Sequence, residues 1–198
     1  MTDHPDLAAL IGSRICHDLI SPIGAIGNGV ELLMMSPEAQ GPELALIAES
    51  VASANARIRF FRIGFGHSAP DQRIGRPEVT SVLADLTRGS RLAIDWDGPV
   101  DLPRSEVKLA FLLLMCLESA LPYGGEITVS ATGQAWSMTA RAAKTKVDPD
   151  LWTELTASST DSRLGAAHVH FALARGELRN QGREPKLGFG PTEIRIAF

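Results

Sequence analysis

Two apolar stripes with helical spacing occupy the first third of the chain, and they constrain its fold more than any other feature. Apolar side chains recur at steps of three and four residues over 11–33, which predicts an amphipathic helix over about 6–35. The same spacing predicts a second helix over about 43–65, after a short turn that contains proline and glycine. Two helices joined this closely form an antiparallel hairpin, and a lone hairpin leaves part of both stripes uncovered. The sequence therefore predicts a homodimer in which two hairpins form a four-helix bundle.

The remainder of the chain alternates helical and strand patterns. Residues 67–77 are polar and contain glycine and proline, which predicts a linker between a hairpin domain, residues 1–66, and a second domain, residues 78–198. In the second domain we predict helices over 79–88, 103–121, 148–156 and 166–178, and strands over 91–96, 126–131, 134–142 and 192–198, with 186–189 as a candidate partner for the last strand. This order predicts an α+β fold, a helical hairpin followed by an α/β sandwich.

The composition argues against several classes of protein. A net charge of −4 argues against general binding to nucleic acid or to an anionic membrane surface. No basic and apolar leader begins the chain, and the apolar run 109–117 is too short to span a bilayer, so we expect a cytoplasmic protein. The two cysteines, Cys16 and Cys116, lie in apolar helical patterns without a paired-cysteine motif, which predicts buried free thiols and no metal site.

His17 is distinctive because it lies on the polar side of the first predicted helix. It follows Ile15 by two residues, about 200° around the helix axis, so its imidazole points away from the apolar stripe. Imidazole can accept a phosphoryl group as a nucleophile, and a neighbouring carboxylate can hold one tautomer or shuttle the proton. Periodicity alone also fits an ordinary surface histidine. The neighbours of His17 on this side are polar or small: Arg14, Asp18, Ser21, Gly24 and Asn28.

The other histidines and the tryptophans carry less information. His168 and His170 are two residues apart, and side chains with that spacing do not share a helix face, so no metal pair is predicted. The tryptophans are predicted to be core residues: Trp96, Trp136 and Trp152.

Residues 17–22, His-Asp-Leu-Ile-Ser-Pro, look like the H-box of sensor histidine kinases, in which the histidine is the phosphoacceptor. Residues 117–125 and the closing strand around 190–196 resemble parts of the ATP-binding domain of those kinases. The whole chain most closely resembles the ChpT-type histidine phosphotransferases of alphaproteobacteria, in which similar H-box residues recur and the second helix ends much like residues 62–66. The resemblance implies a kinase-like dimerisation hairpin followed by a degenerate ATP-binding domain.

The sequence departs from a working kinase at the positions that would bind nucleotide. Ser119 stands where the resemblance places the Mg²⁺-binding asparagine, and Pro122 stands where it places the phosphate-binding lysine. No Asp-x-Gly-x-Gly motif follows the strand that ends near Ala142, and the glycine-rich lid is reduced to Gly165. We therefore expect no ATP binding, no autokinase activity and no metal of the chain's own, with Mg²⁺ supplied by its partners.

The resemblance implies a phosphorelay. A receiver domain of a hybrid histidine kinase, CckA-like, would pass its aspartyl phosphate to His17, and His17 would pass it to a response regulator, CtrA-like. Asp18 would assist the imidazole. Because receiver sites are acidic and bulky, the expected contact residues are cations and small residues: Arg14, Ser21, Gly24, Arg57 and Arg62.

Two other functions stay open. A response-regulator phosphatase would use Ser21, four residues after His17, to orient a hydrolytic water. A non-catalytic adaptor would bind receivers through the bundle face alone. Phosphate release that survives His17→Ala would favour the phosphatase over a relay, and signalling that survives it would favour the adaptor. Measurable ATP binding would favour an active kinase.

Overall fold

The N-terminal part of the chain is a pair of long antiparallel helices. The computed structural model describes residues 7–35, 41–157 and 164–198. Helix α1 spans Leu7–Met35 and helix α2 spans Gly41–Gly64, so both predicted helices are confirmed. Gly41 and Pro42, which were predicted to form the turn, are instead the first two residues of α2. Helix α1 continues through Pro22, which is buried. No helix in the described part of the chain has both the length and the apolar composition needed to cross a bilayer.

The two helices approach each other closely at Gly29. A Cβ atom at this position would lie 2.6 Å from Cγ1 of Ile47 on α2, closer than non-bonded carbon atoms can pack. A Cβ atom at Gly24 or Gly27 would meet nothing within 4 Å. Packing therefore requires glycine at position 29 of α1, whereas Gly24 and Gly27 leave the surface of the helix open.

The C-terminal part is built on a mixed five-stranded sheet. Its elements in chain order are strand β1 (Arg73–Gly75), helix α3 (Arg76–Thr87), β2 (Leu92–Asp97), β3 (Asp101–Pro103), α4 (Arg104–Ser119), β4 (Gly125–Thr132), β5 (Ala135–Arg141), α5 (Pro149–Thr153), a 3₁₀ turn (Ala166–His168), α6 (Val169–Asn180), β6 (Lys186–Phe189) and β7 (Glu193–Ala197). The sheet order is β2-β4-β5-β7-β6; β2 and β4 are parallel, and the other neighbours are antiparallel. The predicted α+β class is confirmed, and so is the pairing of β6 with β7.

The segment predicted as a linker is ordered structure. Residues 67–77 contain β1 and the first two residues of α3. Strand β1 pairs antiparallel with β3, and the sequence predicted neither strand. A strand of three residues shows too little alternation to be recognised, and this pair forms only through contact between distant parts of the chain.

Helix α4 lies at the centre of the hydrophobic core and joins the two parts of the chain. All of its residues over 109–117 are buried, as expected of a helix that is apolar on every side. The ring of Phe60, near the end of α2, stacks on Phe111 of α4 with the ring centroids 4.8 Å apart. Phe60 and Phe111 belong to the same buried cluster, so the hairpin is anchored in the core of the second domain.

The predictions for tryptophan and cysteine had different outcomes. Cys116 is buried as predicted, but Cys16 is exposed, so that prediction was wrong. Cys16 directly follows Ile15, which places its side chain about 100° around the helix from the stripe that packs inward. All of the tryptophans are buried in the core, which confirms their predicted role: Trp96, Trp136 and Trp152.

Candidate functional site

His17 projects from α1 into solvent. Its side chain is 83% exposed, so the orientation predicted from periodicity is confirmed. Ser21 and Gly24 follow on the same helix and are exposed as well. Because neither neighbour is bulky, another protein can approach the imidazole along this face of α1.

Asp18 determines which nitrogen of the His17 ring is available. Nδ1 of His17 lies 3.1 Å from Oδ1 of Asp18. An ionised carboxylate only accepts hydrogen bonds, so Nδ1 carries the hydrogen, and in the neutral ring Nε2 carries the lone pair. The ring nitrogen that keeps a lone pair is therefore the one that points away from Asp18. Of the two roles considered for Asp18, this geometry favours holding the tautomer.

Asp18 is itself held by two arginines. Its side chain is only 8% exposed, and Oδ2 lies 3.0 Å from Nη2 of Arg14 and 3.7 Å from Nη1 of Arg57. Arg14 is four residues earlier on α1, whereas Arg57 comes from α2, so the packing of the hairpin brings the three side chains together. A buried carboxylate is costly unless it is paired, and these guanidinium groups provide the pairing.

The C-terminal domain adds contacts to the same cluster. Nη1 of Arg14 donates a hydrogen bond to the backbone oxygen of Ala167, at 2.9 Å, in the 3₁₀ turn before α6. His170, on α6, is buried, and neither of its ring nitrogens has a hydrogen-bond partner in the described structure. Burial lowers the pKa of His170 to about 3, with smaller contributions from the charges of Arg14 and His168. A neutral imidazole therefore lies within electrostatic reach of Arg14.

Glu118, at the end of α4, also faces this group. Burial raises the pKa of the Glu118 carboxyl, whereas the nearby charges of Arg57 and Arg14 act to lower it and that of Asp18 adds to the rise. Glu118 and Arg57 border a cleft of about 210 Å³ between α2 and the turn that contains Tyr123. The surroundings of His17 are thus formed by both parts of the chain and not by the hairpin alone.

The predicted cations separate into two groups. Arg14 and Arg57 contact Asp18, but Arg62 lies apart, with Nη2 3.8 Å from Oε1 of Glu78 on α3. Arg57 and Arg62 are five residues apart, about 140° around the helix, so both cannot face the same side chain. A docking role for Arg62 stays a prediction.

Sequence reasoning missed the contributions of the second domain. Ala167 acts through its backbone carbonyl, which no side-chain pattern reveals. Ser119, at the position of the kinase asparagine, uses its hydroxyl to donate to the backbone oxygen of Cys116, at 2.6 Å. Among residues 7–35, 41–157 and 164–198, no group of three or more histidine, cysteine, aspartate or glutamate side chains could hold a metal ion.

Comparisons with known proteins identify the family of the chain. Residues 76–187 match the family described as the histidine phosphotransferase C-terminal domain. The chain therefore belongs to the histidine phosphotransferase family, and the resemblance seen in the sequence is confirmed. It is similar to the protein phosphotransferase ChpT of Brucella abortus (strain 2308), with 40% identity over 130 residues, which is 65% of this chain and 62% of that protein. The chain thus aligns with about three fifths of the length of this curated relative.

The similarity in structure extends over nearly the whole chain. A solved bacterial phosphotransferase, determined at 1.7 Å, superposes with a TM-score of 0.83 and 31% sequence identity. The superposition covers 97% of this chain and 95% of that one, so it includes both the hairpin and the sheet domain.

Proposed function

We propose that this protein is a histidine phosphotransferase of a two-component phosphorelay, in which His17 carries a phosphoryl group between the aspartates of two receiver domains. One observation carries the proposal: an imidazole that is 83% exposed is held through Nδ1 by a buried carboxylate, which leaves Nε2 open to a partner. Membership of the family and the similarity to a phosphotransferase structure support the same function.

The chemistry requires a positioned nucleophile and little else from this chain. Nε2 of His17 attacks the phosphorus of an aspartyl phosphate, an N–P bond forms, and the P–O bond to the aspartate breaks. The aspartate leaves as a carboxylate, and the second transfer reverses these steps with a new aspartate as the nucleophile. Because phosphoryl transfer depends mainly on in-line geometry and charge stabilisation, Mg²⁺ in the acidic receiver site would supply the remaining electrostatics.

A groove beside the histidine offers a place for the receiver. The cleft between α1 and α2 has a volume of about 350 Å³, and small side chains such as Ser21, Ala25 and Ser53 form part of its lining, together with Asp18 and Arg57. We propose that a CckA-like hybrid kinase receiver and a CtrA-like response regulator dock here in turn. These partners imply a cytoplasmic location.

The exposed surface of the hairpin supports the proposed homodimer. Both helices expose apolar side chains that the other helix of the same hairpin does not cover. Ile20 and Ile23 on α1, and Leu44, Val51 and Ile58 on α2, are each more than 40% exposed. Packing these side chains against a second hairpin would complete a four-helix bundle.

The experiment is transfer of labelled phosphate from a purified phosphorylated receiver. The wild-type protein should gain an acid-labile, base-stable label, His17→Ala should gain none, and His67→Ala should behave as the wild type because His67 is exposed and distant along the chain. Incubation with ATP and Mg²⁺ alone should label nothing. Labelling that survives His17→Ala would contradict the proposal.

A phosphatase would give a different result. Its signature would be release of inorganic phosphate that persists in His17→Ala and is lost in Ser21→Ala, without any labelled intermediate on the protein.

A further inference from the structure

We propose that Arg14 is a positioning residue that couples the C-terminal domain to the reactive histidine through Asp18. This inference rests on the proposed function of His17 and assigns Arg14 a role different from docking. It concerns a chain of four groups: His17, Asp18, Arg14 and the backbone oxygen of Ala167.

The two ends of the Arg14 guanidinium are both engaged. Nη2 lies 3.0 Å from Oδ2 of Asp18, and Nη1 donates to the oxygen of Ala167 at 2.9 Å. The side chain is only 20% exposed. An arginine used in this way has little capacity left for an incoming receiver, whereas Arg57 is more exposed and lies farther from Asp18.

The two oxygens of the Asp18 carboxylate contact different side chains. Oδ2 faces Arg14, and Oδ1 faces Nδ1 of His17. The planar fork of a guanidinium can fix the orientation of a carboxylate while its second arm binds a carbonyl, which a lysine ammonium cannot reproduce with the same geometry. Fixing the carboxylate plane holds the hydrogen on Nδ1 and keeps the lone pair of Nε2 directed outward.

His170 allows Arg14 to remain in this position. Its ring is buried near Arg14 with both nitrogens unpaired, so it does not compete for Asp18 and adds no second positive charge beside the guanidinium. The two groups that balance Arg14 and Arg57 are carboxylates, Asp18 and Glu118. The C-terminal domain therefore supplies a hydrogen-bond acceptor for Arg14, the backbone oxygen of Ala167, and a neutral imidazole near it, that of His170.

The first test separates positioning from docking by transfer kinetics. We expect Arg14→Gln to lower the maximal rate of phosphate transfer on the order of 10-fold to 100-fold, as the loss of a group that orients a reactive side chain does elsewhere. The receiver concentration at half-maximal rate should not change. A higher half-saturating concentration with an unchanged maximal rate would show that Arg14 is a docking cation. Arg195→Gln, which removes an exposed arginine paired with Glu193 on β7, is the matched control.

The second test asks whether Arg14 acts through Asp18. If it does, the double variant Arg14→Gln with Asp18→Asn should be no slower than Asp18→Asn alone, because the same interaction cannot be lost twice. If the rate reductions of the two single variants instead multiply in the double variant, the proposal is overturned. Arg14→Lys should recover only part of the rate, since it restores the charge without the fork.

The third test does not depend on phosphotransfer. Nitrogen chemical shifts of the His17 ring should report protonated Nδ1 in the neutral wild-type protein and a mixture of tautomers in Arg14→Gln. An unchanged tautomer in Arg14→Gln would refute the positioning role even if transfer works. A shifted tautomer together with a wild-type protein that accepts no phosphate would instead refute the proposed function and leave the positioning role standing.

Discussion

The buried His170 should make the protein less stable in acid, by an amount that follows from its pKa. The folded protein holds the pKa of His170 at about 3, mainly through burial, whereas an unfolded chain leaves histidine near 6.5. Below pH 6.5 the unfolded chain binds a proton that the folded protein refuses, so the stability associated with this group is present above pH 6.5 and is lost as the pH falls towards 3. Between pH 7 and pH 5 the loss amounts to about 2 kcal/mol.

The matched variant is His170→Phe, because phenylalanine keeps an aromatic ring of similar shape and cannot titrate. Both nitrogens of His170 lack partners, so the substitution removes no hydrogen bond. The ring contact with Phe171, at 4.9 Å between centroids, can also be retained. Should the slightly larger ring fit poorly, His170→Leu provides a second non-titrating comparison at the same position.

The assay is urea unfolding at pH 7 and pH 5, followed by tryptophan fluorescence, for the wild type and both variants. The wild type should lose about 2 kcal/mol more than either variant between the two pH values, which corresponds to about 4–8 °C in the midpoint of thermal unfolding. Carboxylates and the remaining histidines titrate in all three proteins, so their contribution cancels in the comparison. Equal pH dependence in the wild type and both variants would refute the reasoning.

Two further predictions concern the helices of the hairpin. Gly27→Ala should raise the free energy of unfolding by about 1 kcal/mol, because alanine favours a helix and the added methyl meets open space. Gly29→Ala should lower the free energy of unfolding by about 1–3 kcal/mol, because its methyl overlaps Ile47. Equal effects of the two substitutions in urea unfolding would contradict this difference. Ile20→Asp, with Ile23→Asp as a second variant, should convert the proposed dimer into a monomer in analytical ultracentrifugation while the helical circular dichroism is kept, and an unchanged sedimentation coefficient would count against the bundle.

The sequence predicts long periodic elements well and short non-local ones poorly. Helices α1, α2 and α4 carry many turns of a regular apolar pattern, so their positions are predicted within a few residues. Strands β1 and β3 have three residues each, and they pair only because the intervening α3 and β2 bring them side by side. No local pattern encodes such a contact, so the segment looked like a linker.

The sequence likewise predicts one part of the candidate site and not the other. The exposure of His17 and its proximity to Asp18 follow from positions on one helix, and periodicity is enough to predict them. Choosing between Arg57 and Arg62 requires the register of α2 against α1, which depends on packing such as the contact of Gly29 with Ile47. The second terminal nitrogen of Arg14 donates to the backbone oxygen of Ala167, and no side-chain pattern in the sequence indicates such a contact.

The exposure of His17 and the pairing of its neighbours fit the proposed transfer from a donor outside the chain. The C-terminal domain contacts Arg14, on the preceding turn of α1, and receives Phe60 from the end of α2 into its core. These contacts, together with the ion pair between Arg62 and Glu78, join both helices to the C-terminal domain while the imidazole stays in solvent. In the proposed relay, transfer would need in-line geometry in two successive complexes, and an accessible imidazole held by Asp18 would suit both of them.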